Sequence, residues 1–447
     1  MSEKGKKFHL YILAGLILGA IAGGIVNSLA GDGGLPNSIK FLLKNVTDPI
    51  GEIFKRMLLM TVVPLVFASL SLGVARFGDL TKLGRIGLKT FAYFLFTTAF
   101  AVGIGLILVN IIQPGRGLPK ETTEQLMAEY AGESEKKLES NAKVDVNTFV
   151  NIVPKNPLSS ASNPNNSEML PIIFVAILVG VGITRLRLPL AQSLTTFLEA
   201  VGEITVFIIQ IAMMIAPVGV FCLIFGTTAR FGFDLLGQLA WYVGTVLLAI
   251  GIMAFVVYPI ILVFLAKQSP FQFYYRARAI ILTAFSTSSS SATLPTSIKI
   301  SHEELKVPKP IAGFVIPLGA TTNMNGTSLF EGITALFLAQ VFGQNLEIGT
   351  QLFVVLMCVL TAVGAAGVPG GSIPLLASVL IVANVPPAAI ALILGVDRIL
   401  DMCRTTLNVV GDVTAAVVIT RFEGKNFPDE TPGEVHVVES SHVLPPT

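Results

Sequence analysis

Ser286-Thr-Ser-Ser-Ser-Ser-Ala-Thr-Leu-Pro295 breaks an apolar segment of roughly residues 271–301, and Gly364-Ala-Ala-Gly-Val-Pro-Gly-Gly371 breaks a second one, roughly 346–380. Lipid offers no hydrogen-bond partner to backbone that leaves a helix, so such breaks must be buried in protein or line a cavity. Broken segments in corresponding positions of two halves of a chain are also the sequence mark of a carrier's binding site. Each break precedes a long apolar helix, giving the order helix, hairpin, helix, hairpin, helix from about residue 236 onward. This order is consistent with an internal repeat and sets the fold class: an all-α membrane protein with re-entrant helical hairpins.

Outward from the breaks, further apolar segments lie at roughly 9–30, 41–75, 84–112, 169–184, 192–228, 236–266, 308–341 and 384–420. A bilayer span needs roughly 20 apolar residues. Of the 447 residues 53% are hydrophobic and 13% charged, against about 25% charged in a typical soluble domain. The formal net charge of +2 is uninformative, and nothing in the sequence suggests a nucleic-acid footprint. Cys222, Cys358 and Cys403 lie in apolar surroundings, fit no metal spacing and no disulfide framework, and read as small buried hydrophobes. Lys4, Lys6 and Lys7 before the first span, and Arg76, Lys82, Arg85 and Lys89 between the second and third, read as cytoplasmic, as do both termini. The polar stretch 114–167 then falls outside as a loop, and 423–447 reads as a disordered C-terminal tail.

The last span carries the charge. At about 100° per residue, Asp397, Asp401, Arg404, Asn408 and Asp412 fall within an arc of about 80°. Charged residues at membrane depth cost about 2.5–3.5 kcal/mol each, so this stripe must face a protein interior. Arg398 falls off the arc, near one end of the span. Asp401 and Arg404 are spaced to be neighbours, and three carboxylates for one arginine call for additional cations. One apolar segment earlier, Asn323-Met-Asn-Gly-Thr327 is a poor helix former where the apolar pattern predicts helix. An unwound turn there would free carbonyls near Gly319, and with Asn323, Asn408 and Asp412 these supply the oxygen ligands that hard cations favour. The serine run of the first break suits a helical tip whose hydroxyls and N–H groups point at a carboxylate. The glycines of the second suit close approach and a hinged gate.

Enzymatic readings find no support. His9, His302, His436 and His442 lie at span ends or in the tail, and there is no HExxH, GxSxG or Walker sequence.

Taken in order, SSSSATLP, NMNGT, GAAGVPGG and DMCRTTLNVVGD resemble the motifs of the glutamate/aspartate (excitatory amino acid) and neutral amino acid transporters of the dicarboxylate/amino acid:cation symporter group. The likeness covers nearly the whole chain apart from the 114–167 loop and the tail. It implies eight transmembrane helices plus two re-entrant hairpins, built as inverted repeats in the manner of such carriers and assembled as a homotrimer in the lipid bilayer. It implies an elevator, in which a transport domain moves against a static scaffold. Residues 1–75 would hold scaffold helices one and two, 76–113 the third span of the transport domain, and 114–167 the extracellular loop. Residues 168–232 would hold scaffold helices four and five. The sixth span, first hairpin, seventh span, second hairpin and eighth span of the transport domain would occupy 233–422, with the tail at 423–447.

The resemblance also implies roles. Arg404 would clamp the substrate's side-chain carboxylate, a bidentate task suited to guanidinium, and Asp401 would take its amino group. Thr405, Asn408, Ser290 and Thr327 would add contacts, with Val368 and Gly370 closing over the substrate. One Na⁺ site would use Gly319, Asn323, Asn408 and Asp412, and a second would use carbonyls near Thr321 and at Ala362, Val363 and Ala365. A third would draw on Thr97, Thr98, Asn323 and Asn325. Asn325 stands where the pattern has Asp, which removes a full negative charge from that third site. Ser288 and Met402 stand where relatives carry a second arginine. Glu331 matches the position of an acidic residue that the animal excitatory amino acid transporters use in proton coupling, which adds H⁺ as a candidate driver.

These readings lead to the expectation of secondary active symport of L-aspartate or L-glutamate, driven by Na⁺ and, through Glu331, by H⁺. The alternatives are a neutral amino acid exchanger of the same fold and a substrate-gated anion channel. Arg404 argues against the exchanger, because a buried guanidinium without an acidic substrate would be unpaired.

Overall fold

The computed structural model describes residues 3–30, 35–80, 84–117, 153–157, 169–232, 234–363, 365 and 367–423. Most of the expected 114–167 loop and nearly all of the 423–447 tail lie outside the described residues, as do Lys82 and the side chains of Lys4, Lys6, Lys7 and Arg76, on which the expected orientation rests.

All regular structure among the described residues is helical. In chain order the main helices are α1 (Glu3–Ala30), α2 (Asp48–Leu59), α3 (Val62–Leu80), α4 (Gly84–Ile112), α5 (Met169–Ile183), α6 (Leu188–Phe231) and α7 (Asp234–Ile252). There follow α8 (Pro270–Thr287), α9 (Ser290–Glu303), α10 (Lys309–Thr322), α11 (Asn325–Val341), α12 (Ile348–Ala362), α13 (Ser372–Val382) and α14 (Leu394–Glu423). Helical turns carry α7 on to Ala266, so that Leu236–Ala266 forms one 31-residue apolar span. Five helical stretches among the described residues are long and apolar enough to cross a membrane: Asn37–Ala75, Arg85–Ile112, Leu188–Phe231, Leu236–Ala266 and Leu394–Glu423.

Both sequence breaks fall between paired helices. α8 and α9 pack side by side, joined through Ser288 in the left-handed region (φ 48°) and Ser289, whose hydroxyl caps α9 by accepting from Ala292 N at 3.1 Å. α12 and α13 form the second pair, and their connection turns at Gly370 (φ 75°), a conformation glycine adopts without strain. The apolar segment 308–341 is not one helix. It breaks at Asn323 (φ −118°, ψ 68°) and Met324 (φ −96°, ψ 55°), separating α10 from α11.

Packing gathers the helices in two sets. α1, α2 and α3 lie on α6, and α5 lies on α3. Gly15, Gly19 and Gly23 let α1 approach the backbone of α6 at Pro217, Phe221 and Phe225, where any Cβ would collide. The second set, α4 and α7 to α11, surrounds α14. α14 is consequently buried on most sides, which is the environment its charged stripe needs. Its far end is tied to α4 by Glu423, paired with Arg85 at 2.8 Å and with Lys89.

Candidate functional site

The first three turns of α14 present Asp397, Arg398, Asp401 and Arg404, all buried. Arg404 Nη1 donates to Asp397 Oδ1 at 2.7 Å, and its Nε donates to Asp401 Oδ1 at 3.2 Å. Nη2 stands 3.0 Å from that same Asp401 oxygen but makes no hydrogen bond among the described residues. The guanidinium lies 4.2 Å from the ring centroid of Phe330 on α11, a cation–π contact. Arg398 Nη1 donates to the other oxygen of Asp401, Oδ2, at 3.2 Å, and Gly370 N from the second hairpin donates to it at 3.2 Å.

Two expectations change here. Arg398 is not outside the polar stripe: its long side chain reaches back to Asp401 one turn on. Nor is Arg404 left unpaired without an external acid, since Asp397 and Asp401 already neutralise it. Burial of Arg404 therefore does not speak against a neutral exchanger.

The tips of the two hairpins meet beside this cluster. Ser289 Oγ donates to Gly367 O at 2.6 Å and Ser291 N donates to the same oxygen at 3.1 Å. Ser290 is buried against Gly367, where a Cβ would come within 3.1 Å of the serine Cβ. Val368 is half-buried in the same turn, and Gly370 rests near Met213 of α6. Ser288 is buried with a hydroxyl that has no partner among the described residues, and Met402 is half-buried.

The break between α10 and α11 is held from α14. Asn408 Oδ1 accepts Gly326 N at 2.7 Å and Thr327 N at 3.4 Å, supplying the first turn of α11 with an acceptor. Its Nδ2 donates to Thr327 Oγ1 at 3.1 Å and to Met324 Sδ at 3.3 Å. Asn408 and Thr327 are thus brought together one turn from Arg404. Thr405 is buried between them in sequence but makes no side-chain hydrogen bond among the described residues.

Of the expected cation sites, the first is the best assembled. Asp412 Oδ1 accepts Asn323 Nδ2 at 2.9 Å, and no basic side chain pairs with Asp412 among the described residues. Asn323 Oδ1 is buried without a hydrogen-bond partner among the described residues. Gly319 packs directly on the Asp412 carboxylate, where a Cβ would collide. The carbonyl of Gly319 is not freed by the break, however: it accepts Asn323 N at 2.8 Å, because the chain unwinds only after Thr322. Asn408 turns its oxygen to α11 instead of toward Asp412.

In the second expected set, Thr321 Oγ1 donates to Leu318 O at 3.0 Å. Ala362, Val363 and Ala365 are buried, and the Val363 carbonyl lies against Gly73 of α3. In the third set, Asn325 Oδ1 accepts Thr98 Oγ1 at 2.7 Å and its Nδ2 donates to Tyr258 Oη at 3.0 Å. Thr97 bonds back to Tyr93 O at 2.9 Å, within its own helix. Glu331 is fully buried on α11, with Oε2 accepting Thr361 Oγ1 at 2.7 Å and Oε1 unpartnered among the described residues.

Three residues join the site beyond those given roles above, two of them marked by residue spacing. Asp397 lies i, i+7 from Arg404 and Arg398 lies i, i+3 from Asp401, both helix-neighbour spacings. Phe330 needs the α11–α14 packing and carries no local signal.

A model of the sodium:dicarboxylate symporter family matches residues 8–422. The chain is 38% identical over 414 residues to the proton/sodium-glutamate symport protein of Bacillus subtilis (strain 168), covering 92% of each. It is 36% identical over 428 residues to the proton/glutamate-aspartate symporter of Escherichia coli (strain K12), covering 94% of each. To the proton/sodium-glutamate symport protein of Bacillus caldotenax it is 35% identical over 442 residues, 98% of this chain and 99% of the relative.

Proposed function

Because the chain belongs to the sodium:dicarboxylate symporter family, we propose that its buried α14 cluster binds L-glutamate or L-aspartate for transport together with Na⁺ and H⁺. It is a membrane transporter and not an enzyme, and its activity is symport of acidic amino acids with cations.

One observation carries the assignment of the anion site: Arg404 is buried and neutralised, yet its Nη2 has no hydrogen-bond acceptor among the described residues. Donors left without an acceptor in a buried site favour an incoming carboxylate. Asp401 would receive the substrate's amino group, while Asn408, Thr405, Thr327 and Ser290 shape the remaining contacts. Val368 and Gly370, on the tip that already reaches Asp401, would close the site. Asp412 supports the Na⁺ assignment. A buried carboxylate with one amide partner, beside the unpartnered oxygen of Asn323, suits a hard cation. Glu331, with one oxygen unpartnered, is the proposed proton carrier.

The larger assembly belongs to the same reading: eight spans and two hairpins, both termini cytoplasmic, and a homotrimer. α1 to α3, α5 and α6 would form the scaffold, and α4 with α7 to α14 the part that moves as an elevator.

The test is uptake of radiolabelled aspartate, glutamate, serine and succinate into proteoliposomes under imposed Na⁺ or H⁺ gradients. Concentrative uptake of the acidic amino acids, abolished when both gradients are collapsed, is expected. Concentrative uptake of serine alone would instead assign a neutral amino acid carrier. A substrate-gated anion current without concentration would assign a channel.

A further inference from the structure

Asp401 has both oxygens engaged by the protein. Oδ1 takes Arg404, and Oδ2 takes Arg398 Nη1 and Gly370 N, each at 3.2 Å. The second of these cations is oddly placed. Arg398 follows Asp397 at the end of the first turn of α14, where the helix dipole opposes positive charge. Its side chain is only 8% exposed, so it has also lost most of its hydration. A cation held under both penalties needs specific partners, and Asp401 supplies one through the oxygen facing the second hairpin tip. On the acidic amino acid reading, the substrate's ammonium must come to this same carboxylate.

We propose that Arg398 is a specificity-determining residue that competes with the substrate's ammonium for Asp401 and thereby lowers the site's preference for amino diacids over plain diacids. With Arg398 in place, Asp401 keeps a cation when a dicarboxylate lacking an amine, such as succinate, occupies the site. Without Arg398 that carboxylate depends more heavily on the substrate's own ammonium, and an amine-free diacid leaves it under-served. A pair that only fastened the helix would instead change stability and alter the affinity for both acids alike. This inference rests on the acidic-substrate reading, and its test separates the two.

The experiment measures binding of L-aspartate and of succinate to the purified full-length protein at saturating Na⁺, by displacement of radiolabelled aspartate and by calorimetry. Arg398→Gln should raise the aspartate-to-succinate affinity ratio about tenfold or more, the loss expected for a charged hydrogen bond. Arg398→Lys, which keeps the charge, should stay nearer the wild-type ratio. An unchanged ratio in Arg398→Gln, or an equal shift for both acids, would overturn the specificity role and leave the substrate reading intact. The wild type tests the idea even where variants do not fold. A site that depends on a ligand polar group rejects the analogue lacking it by about 10⁴ or more, so a wild-type ratio above that level overturns the proposal. Wild-type protein that binds neither acid overturns the substrate reading and the specificity role together.

Discussion

Arg404 reaches its two carboxylates through different nitrogens, Nη1 to Asp397 and Nε to Asp401, and stacks on Phe330. Removing it altogether would strand the buried Asp397 and leave Asp401 to Arg398 alone among basic partners, and breaking such pairs destabilises by about 3–5 kcal/mol. Lysine is the cleaner probe: it keeps one charge but loses the planar fork and the stacking. Arg404→Lys should weaken aspartate binding by about 30-fold or more, corresponding to about 2 kcal/mol, while leaving serine binding less affected. Unchanged aspartate affinity would remove Arg404 as the clamp. At Asn325, an amide serves two neutral partners, Thr98 and Tyr258. Asn325→Asp would add a buried negative charge that neither hydroxyl can balance. A steeper Na⁺ dependence of uptake, or more Na⁺ per substrate, is the expected result of flux measurements. The same Hill slope and coupling ratio in variant and wild type would take position 325 out of the cation argument. The stripe Asp397 to Asp412 was readable from angular spacing alone. Arg398 escaped that reading because a helical wheel tracks where Cβ points, whereas a long guanidinium side chain ends well away from its own Cβ.

Between elements, the decisive contact is α11 against α14. Gly326 opens α11 directly on the backbone of Arg404, where a Cβ would lie 2.9 Å from Cα and collide with the carbonyl oxygen. Neither neighbour is the far end of a flexible side chain, so nothing can move cheaply. Gly326→Ala should therefore destabilise by about 1–3 kcal/mol, read as a lowered melting temperature of the purified protein. It should also weaken substrate binding, since the Gly326 N–H bond to Asn408 fixes the register of the two helices. Wild-type melting and affinity in the alanine variant would show that the two helices separate at no cost. The existence of this break, and of both hairpins, was legible because Asn-Met-Asn-Gly, the serine run and the glycine run contradict the apolar pattern around them. Its position was less so. Gly319 looked like a source of free carbonyls, but Thr321 and Thr322 still continue α10, and only at Asn323 does the backbone leave the helix. Helix ends depend on which tertiary partner caps them, and here that partner, Asn408, is more than 80 residues away in sequence.

At the scale of the molecule, the proposed elevator requires that the two helix sets slide past each other. Their boundary includes a small cleft where Val66, Ser69 and Leu70 of α3 and Ile173 of α5 face Leu360 and Thr361 of α12 and Leu375 of α13. Thr361 is also the hydrogen-bond partner of Glu331, so the proposed proton carrier lies one side chain from this boundary. The cleft offers a place to stop the movement without touching the binding cluster. Ser69→Cys with Leu375→Cys, in a background lacking Cys222, Cys358 and Cys403, should be bridged by Hg²⁺ across the boundary. If α3 and α13 belong to bodies that must separate, bridging should abolish uptake into proteoliposomes, while aspartate binding to the bridged protein in detergent stays within about twofold, because no residue of the α14 cluster is altered. Each single-cysteine protein should transport normally in the presence of Hg²⁺. Uptake that continues after complete bridging would mean that the boundary does not slide and that access alternates by local opening of the hairpin tips alone. Loss of binding together with transport would instead place the substrate contacts across the boundary, contrary to the assignment of all of them to one body.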